Sequence, residues 1–257
     1  MKRVRFRDDA GNVRGGRWTT IDGDPAVTSA ADPVGDKSFD DDTYRLDEVE
    51  VLPPSHPTKI ICVGLNYRDH AAEQGKSVPE RPMLFLKTPN TIRGHGARVT
   101  LPKDKDRVDH EAELAVVIGQ RCRNVDREDA DDVIAGFTCM NDLSNRDDQQ
   151  REQNWVRAKA FDGAAPLGPL IATPDHVPAD ASVECRVNGD LRQQSTRDEF
   201  IFSIPELIEE ITAYMTLEPG DVISTGTPAG VGPLADGDRV EITVEGVGTL
   251  ANDIEST

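Results

Sequence analysis

Apolar positions in this chain fall mostly in short runs or in alternation, and seldom at helical spacing. Residues 1 to about 20 alternate like a hairpin: Val4 and Phe6, the turn Asp9-Ala10-Gly11-Asn12, then Val13 and a second run through Trp18 to Ile21. From Asp22 to Asp42 the chain is Asp, Gly and Pro with few apolar anchors, which predicts an exposed connection. Leu46 to Val51 predicts one more short strand, and Pro53-Pro54-Ser55-His56-Pro57 punctuates the chain. A boundary there separates a small β-rich N-terminal unit, residues 1–57, from a main domain, residues 58–257.

The main domain opens on Lys59-Ile60-Ile61-Cys62-Val63-Gly64, the composition of a buried strand. Asn66 to Gln74 predicts a helix that stops at Gly75. Met83 to Lys87, Glu111 to Gly119 and Gly136 to Asn141 predict strands, with a helix over Arg127 to Ile134. Val183 to Val187 and Leu191 to Thr196 flank Asn188-Gly189, the strongest hairpin signal in the chain. Ile204 to Met215 is an amphipathic helix, entered at Ser203-Ile204-Pro205-Glu206 and followed by Glu218-Pro219-Gly220-Asp221. Val222 to Ser224, Arg239 to Val244 and Gly248 to Ile254 finish the sheet. Strands outnumber helices and do not alternate with them, so the predicted class is α+β with a large mixed sheet. No internal repeat is visible.

Composition narrows the possibilities. The net charge of −18 and hydrophobic content of 37% fit an acidic globular protein rather than a disordered one. Nucleic acid is not expected as a partner, since nothing supplies the basic face a polyanion needs. The acids are scattered, as in Asp40-Asp41-Asp42 and Asp129-Ala130-Asp131-Asp132, Asp exceeds Glu, and Lys is scarce beside Arg. That pattern suits a halophilic protein, because salt screens the self-repulsion of so many carboxylates; an ordinary acidic protein is the plainer alternative. Cys62, Cys122, Cys139 and Cys185 are far apart with no C-x-x-C pair, so they are read as reduced core residues. No segment has the ~20 apolar residues of a membrane span, and the charged N-terminus has no apolar run behind it, so a cytoplasmic location is expected.

In so acidic a chain, two carboxylates one residue apart carry little information. Glu48-x-Glu50, Asp104-x-Asp106 and Asp236-x-Asp238 read as solvated pairs. Glu111-Ala112-Glu113 differs because it runs into Leu114-Ala115-Val116-Val117-Ile118-Gly119. Strand alternation puts Ala112, Leu114, Val116 and Ile118 on one side, and Glu111 and Glu113 on the other with Ala115 and Val117. Both sides are apolar farther along, so the two acids point into an interior or a cleft. At ~4 Å and an effective dielectric of about 20, such a pair repels by on the order of 4 kcal/mol. A proton, a basic partner or a cation must offset that. Asp142 ends another apolar stretch, Gly136 to Asn141, and supplies a third oxygen if the two strands are neighbours. Three carboxylates with no Cys or His nearby suit a hard ion, Mg²⁺ or Mn²⁺; acids at strand ends on the surface are the alternative.

Six segments, in order across residues 59 to 254, resemble the fumarylacetoacetate hydrolase family. They are Gly64-Leu65-Asn66-Tyr67-Arg68-Asp69-His70-Ala71-Ala72-Glu73, Pro82-Met83-Leu84-Phe85-Leu86-Lys87, Glu111 to Gly119, Asn141-Asp142-Leu143-Ser144-Asn145-Arg146-Asp147-Asp148-Gln149, Lys159-Ala160-Phe161-Asp162 leading to Pro166-Leu167-Gly168-Pro169, and Gly220 to Pro233. The resemblance implies that family's mixed β-sheet fold, a homodimer, and Mg²⁺ or Mn²⁺ held by Glu111, Glu113 and Asp142. It implies that Lys159 is the catalytic lysine. It also implies that His70 and Glu73, three apart on one helix face, form a general-base dyad on a lid. Arg146 and Gln149, with Thr227 in the Gly-rich run, would contact substrate. Structural alternatives for these residues are a surface lysine, an exposed helix face, an arginine paired with local acids, and a plain turn. His95, between Gly94 and Gly96, and His110, beside Glu111, are candidate extra ligands; His110 stands where the family more often has an aromatic, so it is read as a neighbour of the site rather than a ligand.

The activity expected on these grounds is metal-dependent C–C bond hydrolysis of an acylpyruvate-type 2-oxo acid. Decarboxylation of oxaloacetate, or isomerisation of 2-hydroxyhepta-2,4-diene-1,7-dioate, would use the same site without an attacking water. A non-catalytic binding homologue is the reading of another class, and the intact Lys159, His70 and Glu73 argue against it.

Overall fold

The computed structural model describes residues 1–29 and 42–256. A twelve-stranded mixed sheet dominates. Its main path runs Thr43–Arg45, Asp24–Ser29, Val13–Ile21, Lys2–Arg7, Ala165–Ala172, Ile134–Asn141, Ala112–Ile118, Val222–Ser224, Ile60–Val63, Leu84–Lys87. Pairing is antiparallel along this path except between Val222–Ser224 and Ile60–Val63, which run parallel. A second sheet of five strands and a third of three complete the β structure. The α+β reading with a large mixed sheet therefore stands.

The first strand, Lys2–Arg7, pairs with Ala165–Ala172 through Lys2 opposite Ala172, so the N-terminal residues continue the main sheet. The Asp9–Asn12 turn, the Asn188-Gly189 turn and the helix at Ile204 lie where the sequence places them. Asn188 and Gly189 take φ of 54° and 85°, the left-handed pair that matches hairpin twist. Ser203 and Glu206 close a capping box on the helix Ile204–Tyr214, which buries Ile204, Leu207, Ile208 and Ile211 along one stripe.

Several expectations need correction. Asp24–Ser29, inside the supposed connection, is a strand that buries Ala26 and Val27; most of the remainder, including Asp40-Asp41, lies outside the described residues. Leu46–Glu48 is a 3₁₀ turn, and the strand there is Glu50–Leu52. Arg127–Val133 is 3₁₀ rather than α, its two buried side chains being Ala130 and Val133. The helix after Asn66 spans only Arg68–Glu73, with Gly75 at φ 61° beyond it. Ala165–Ala172 is a central strand absent from the sequence reading; its Pro166, Gly168 and Pro169 interrupt the pattern that marks strands.

The strand Ala112–Ile118 is buried on both sides, as alternation requires. Ala112, Leu114, Val116 and Ile118 join the large core. Ala115 and Val117 pack on the other side in a smaller cluster with Ile60, Cys62, Met140, Leu167 and Val222. All four cysteines are free and buried. Among the described residues, no helix is long and apolar enough to cross a membrane.

Candidate metal centre

Strand register brings the acids together. Ala112 pairs with Asn141 and Glu113 with Met140, so Glu111 and Asp142 meet one step beyond, where Asp142 N–H donates to the Glu111 carbonyl at 2.9 Å. On the other flank Ala115 pairs with Ser224. That register delivers two donors to Glu113: Ser224 Oγ at 2.5 Å and the Gly226 N–H at 2.9 Å. Glu111, Glu113 and Asp142 are all buried, and each offers a carboxylate oxygen within 4.8 Å of the others.

Cations already crowd this cluster. Lys159 Nζ donates to Glu111 Oε2 at 2.9 Å and Asp142 Oδ2 at 2.8 Å, and lies 4.8 Å from the Phe85 ring centroid. It rides on the single-turn helix Val156–Lys159, entered by Trp155 at φ 54°. A bulky residue seldom takes that conformation, so the surrounding structure holds the entry to this turn. Arg146 donates to Glu111 Oε1 at 2.6 Å, to Asp109 Oδ2 at 2.8 Å and to Gln149 Oε1 at 2.7 Å. Its acid partners are therefore Asp109 and Glu111, not Asp147 or Asp148.

Burial raises the Glu111 carboxyl, but Lys159 and then Arg146 outweigh it and hold the group well below the ordinary carboxylate range. Glu113 makes no ion pair among the described residues, and the Lys159 charge offsets the raising influences on it only in part. Burial first, then the charges of Asp142 and Glu111, push it well above that range. Burial works against the Lys159 ammonium, yet Asp142 and Glu111 overcome it and keep the proton on.

The fit to a divalent cation rests on two features. The donor set is oxygen only, with no Cys or His in the cluster, which is what a hard ion takes. Asp142 Oδ1 is buried and pairs with the Lys87 ammonium at 2.7 Å, yet no donor aims a hydrogen at it, so it keeps lone-pair capacity for a ligand. Lys87 Nζ donates to the carbonyls of Leu143, Lys159 and Ala164 at 3.2, 2.7 and 2.8 Å. Lys87 was missed in the sequence because it ends an apolar strand. A lysine closing such a run, where burial would be costly without partners, was the available signal.

A cavity of about 650 Å³ opens onto these acids. His70, Arg146, Gln149, Lys159 and Thr227 line it, while Val63, Leu65, Met83, Phe85 and Trp155 supply an apolar side. Every residue singled out for the site reaches this cavity except Glu73, which sits behind His70. Glu73 Oε2 lies 3.0 Å from His70 Nδ1, and its Oε1 accepts from the Gly230 N–H at 3.1 Å. Gly230 has φ +95°, and a Cβ there would run into the Arg192 carbonyl oxygen. The Gly-rich run thus anchors the dyad as well as facing the cavity.

Thr227 is held from behind by Gln193, a buried hub that sequence reasoning did not find. Gln193 Nε2 donates to Thr227 Oγ1 and to the Pro228 carbonyl, both at 2.8 Å. Its Oε1 accepts from the Ala112 N–H at 3.0 Å and from His110 Nδ1 at 3.0 Å. His110 therefore supports the loop from outside the carboxylate cluster.

Comparison with known proteins agrees with this architecture. Residues 59–255 match the family described as fumarylacetoacetate (FAA) hydrolase, C-terminal. The oxaloacetate tautomerase YisK of Bacillus subtilis is 44% identical over 225 residues, 82% of this chain and 75% of the relative. A crystal structure of 5-carboxymethyl-2-hydroxymuconate delta-isomerase from Mycobacterium smegmatis superposes with a TM-score of 0.91 at 41% identity, covering 100% of both chains. Fumarylpyruvate hydrolase from Pseudomonas aeruginosa, solved with Mn²⁺ and pyruvate, is 30% identical with a TM-score of 0.74, over 81% of this chain and 92% of that one.

Proposed function

The chain belongs to the fumarylacetoacetate hydrolase family, and from that premise we propose that it catalyses keto–enol interconversion of a small 2-oxo acid of the oxaloacetate class. The observation that carries this reading is the three-carboxylate cluster with Lys159 between Glu111 and Asp142 and Arg146 beside it. Glu111, Glu113 and Asp142 would hold Mg²⁺ or Mn²⁺, whose charge would polarise a 2-oxo carbonyl and make the adjacent C3–H more acidic. Arg146 presents a guanidinium to the substrate carboxylate, and Gln149 holds that fork in place. Lys159, held between Glu111 and Asp142, would carry the proton that moves between Nζ and C3. Names of relatives, a tautomerase and an isomerase among them, support enolate chemistry without an attacking water.

A second reading, hydrolysis of an acylpyruvate-type acid, is favoured by the intact dyad. Glu73 accepts from His70 Nδ1, which leaves Nε2 as the lone-pair nitrogen facing the cavity that holds the acids. The two readings separate in one experiment. Mn²⁺-loaded protein is given enol-oxaloacetate and, separately, an acylpyruvate, with ultraviolet absorbance following enol decay and NMR identifying products. Faster enol decay without C–C cleavage supports tautomerisation, and pyruvate release from the acylpyruvate supports hydrolysis. Neither reaction, with metal bound, rejects both.

A further inference from the structure

One contact in the cavity belongs to neither reading's machinery. Gln74 follows Glu73 directly, capping the helix Arg68–Glu73, and its Nε2 lies 2.6 Å from His70 Nε2. The tautomer follows from the partners. Glu73 carboxylate can only accept, so His70 Nδ1 carries the ring's hydrogen and Nε2 keeps its lone pair. The Gln74 amide therefore donates to Nε2, filling the position that a water must take to be activated there.

We propose that Gln74 is a specificity-determining positioning residue: it withholds the His70 base from water and so disfavours C–C hydrolysis relative to keto–enol interconversion. This rests on the site assignment given under Proposed function. In the hydrolytic route His70 Nε2 takes a proton from water as the oxygen adds to the distal carbonyl carbon, C4, of a 2,4-dioxo acid. The C3–C4 bond then breaks, its electron pair leaves on the pyruvate enolate, and protonation at C3 gives pyruvate and a carboxylic acid. No water reaches Nε2 while the amide occupies it. Interconversion at C3 through Lys159 does not need that nitrogen.

Two further features make the contact a device rather than a packing accident. The ring is fixed on its other side, since Glu73 is itself tied to Gly230, so His70 cannot turn Nε2 away from the amide without giving up Glu73. Gln74 is exposed while His70 is buried. A single outward swing of one glutamine side chain is enough to open the nitrogen.

The test compares wild type with Gln74→Ala and Gln74→Glu, all Mn²⁺-loaded. One readout is the ratio of acylpyruvate hydrolysis to enol-oxaloacetate conversion. The other is the rate at which diethyl pyrocarbonate modifies His70, mapped by mass spectrometry with the remaining histidines as internal controls. In Gln74→Ala the ratio should rise about 10-fold or more, a modest share of what a freed general base contributes. His70 modification should rise with it, and adding His70→Ala should erase the gain. Gln74→Glu should keep hydrolysis suppressed for a different reason: its carboxylate can only accept, so it favours the doubly protonated imidazole, which has no lone pair on Nε2 to take a proton. An unchanged ratio, or His70 no more reactive in Gln74→Ala, overturns the proposal. Greater His70 reactivity with neither reaction in any variant overturns the specificity role together with the proposed function, whereas an unchanged ratio in an active enzyme overturns the Gln74 role alone.

Discussion

Lys87 Nζ stands 2.7 Å from Asp142 Oδ1 while donating to three backbone carbonyls, so an ammonium and a carboxylate form an ion pair in the interior. The lysine's role is twofold. It satisfies the carbonyls of Leu143, Lys159 and Ala164, which bracket the site's acid and its base, and it places positive charge against Asp142. Burial is the leading influence on Lys87 and lowers its pKa.

Replacing Lys87 with Met keeps the length of the side chain and removes the charge and all three donors. Breaking a buried ion pair on one side typically costs about 3–5 kcal/mol. Lys87→Met is expected to unfold at correspondingly lower urea, with excess Mn²⁺ restoring part of the loss by occupying the acids.

Glu113 sets the direction of a pH effect in metal-free protein. Its folded pKa is raised, so the stability it contributes is full below the ordinary carboxylate pKa and is lost as pH rises through the raised value. Thermal unfolding of chelator-treated protein should therefore fall in midpoint as pH rises above the ordinary carboxylate range. Glu113→Gln should flatten that dependence. The same substitution should weaken Mn²⁺ binding, because it removes a ligand.

Asp221 gives the opposite sign, away from the site. Its buried carboxylate accepts from Thr58 N–H and Oγ, Lys59 N–H and Nζ, and Glu218 N–H. Burial raises its pKa, but those donors prevail and hold it below the ordinary value. That stability is present above the unfolded pKa and is lost as pH falls through the lowered one. Asp221→Asn should cost about 2 kcal/mol at neutral pH by urea titration, a difference that shrinks on acidification.

Arg146 reaches Asp109, Glu111 and Gln149 at once, a geometry a lysine cannot copy. Arg146→Lys should lower kcat/KM for the 2-oxo acid by about 10- to 100-fold, chiefly through KM if the fork binds the substrate carboxylate. An effect confined to kcat would move Arg146 from binding to chemistry.

What the sequence disclosed follows from which signals are local. Alternation in Ala112–Ile118 is a property of consecutive residues, so the inward aim of Glu111 and Glu113 could be read directly, and the two apolar clusters bear it out. The Ser203–Glu206 box and Asn188-Gly189 are local as well. Ala165–Ala172 was hidden because its prolines and glycine mimic loop chemistry, and only pairing with Ile134–Asn141 and Lys2–Arg7 makes it a strand. Lys87, Gln193, Asp109 and Gln74 matter through partners distant in sequence or through side-chain reach, neither of which periodicity reports. Arg127–Val133 shows the limit from the other side: its acidic, helix-like composition met a surface with room for only two buried side chains.

The central claim is that Glu111, Glu113 and Asp142 jointly hold a divalent cation, and equilibrium binding of Mn²⁺ followed by electron paramagnetic resonance tests it most directly. Wild type should bind a single tight ion per chain. Asp142→Asn, with its fold verified by circular dichroism, should bind about 100-fold more weakly or worse, since even partners behind the ligands are worth 10- to 100-fold. Equal affinity in the two proteins, or no tight site in wild type, would contradict the account.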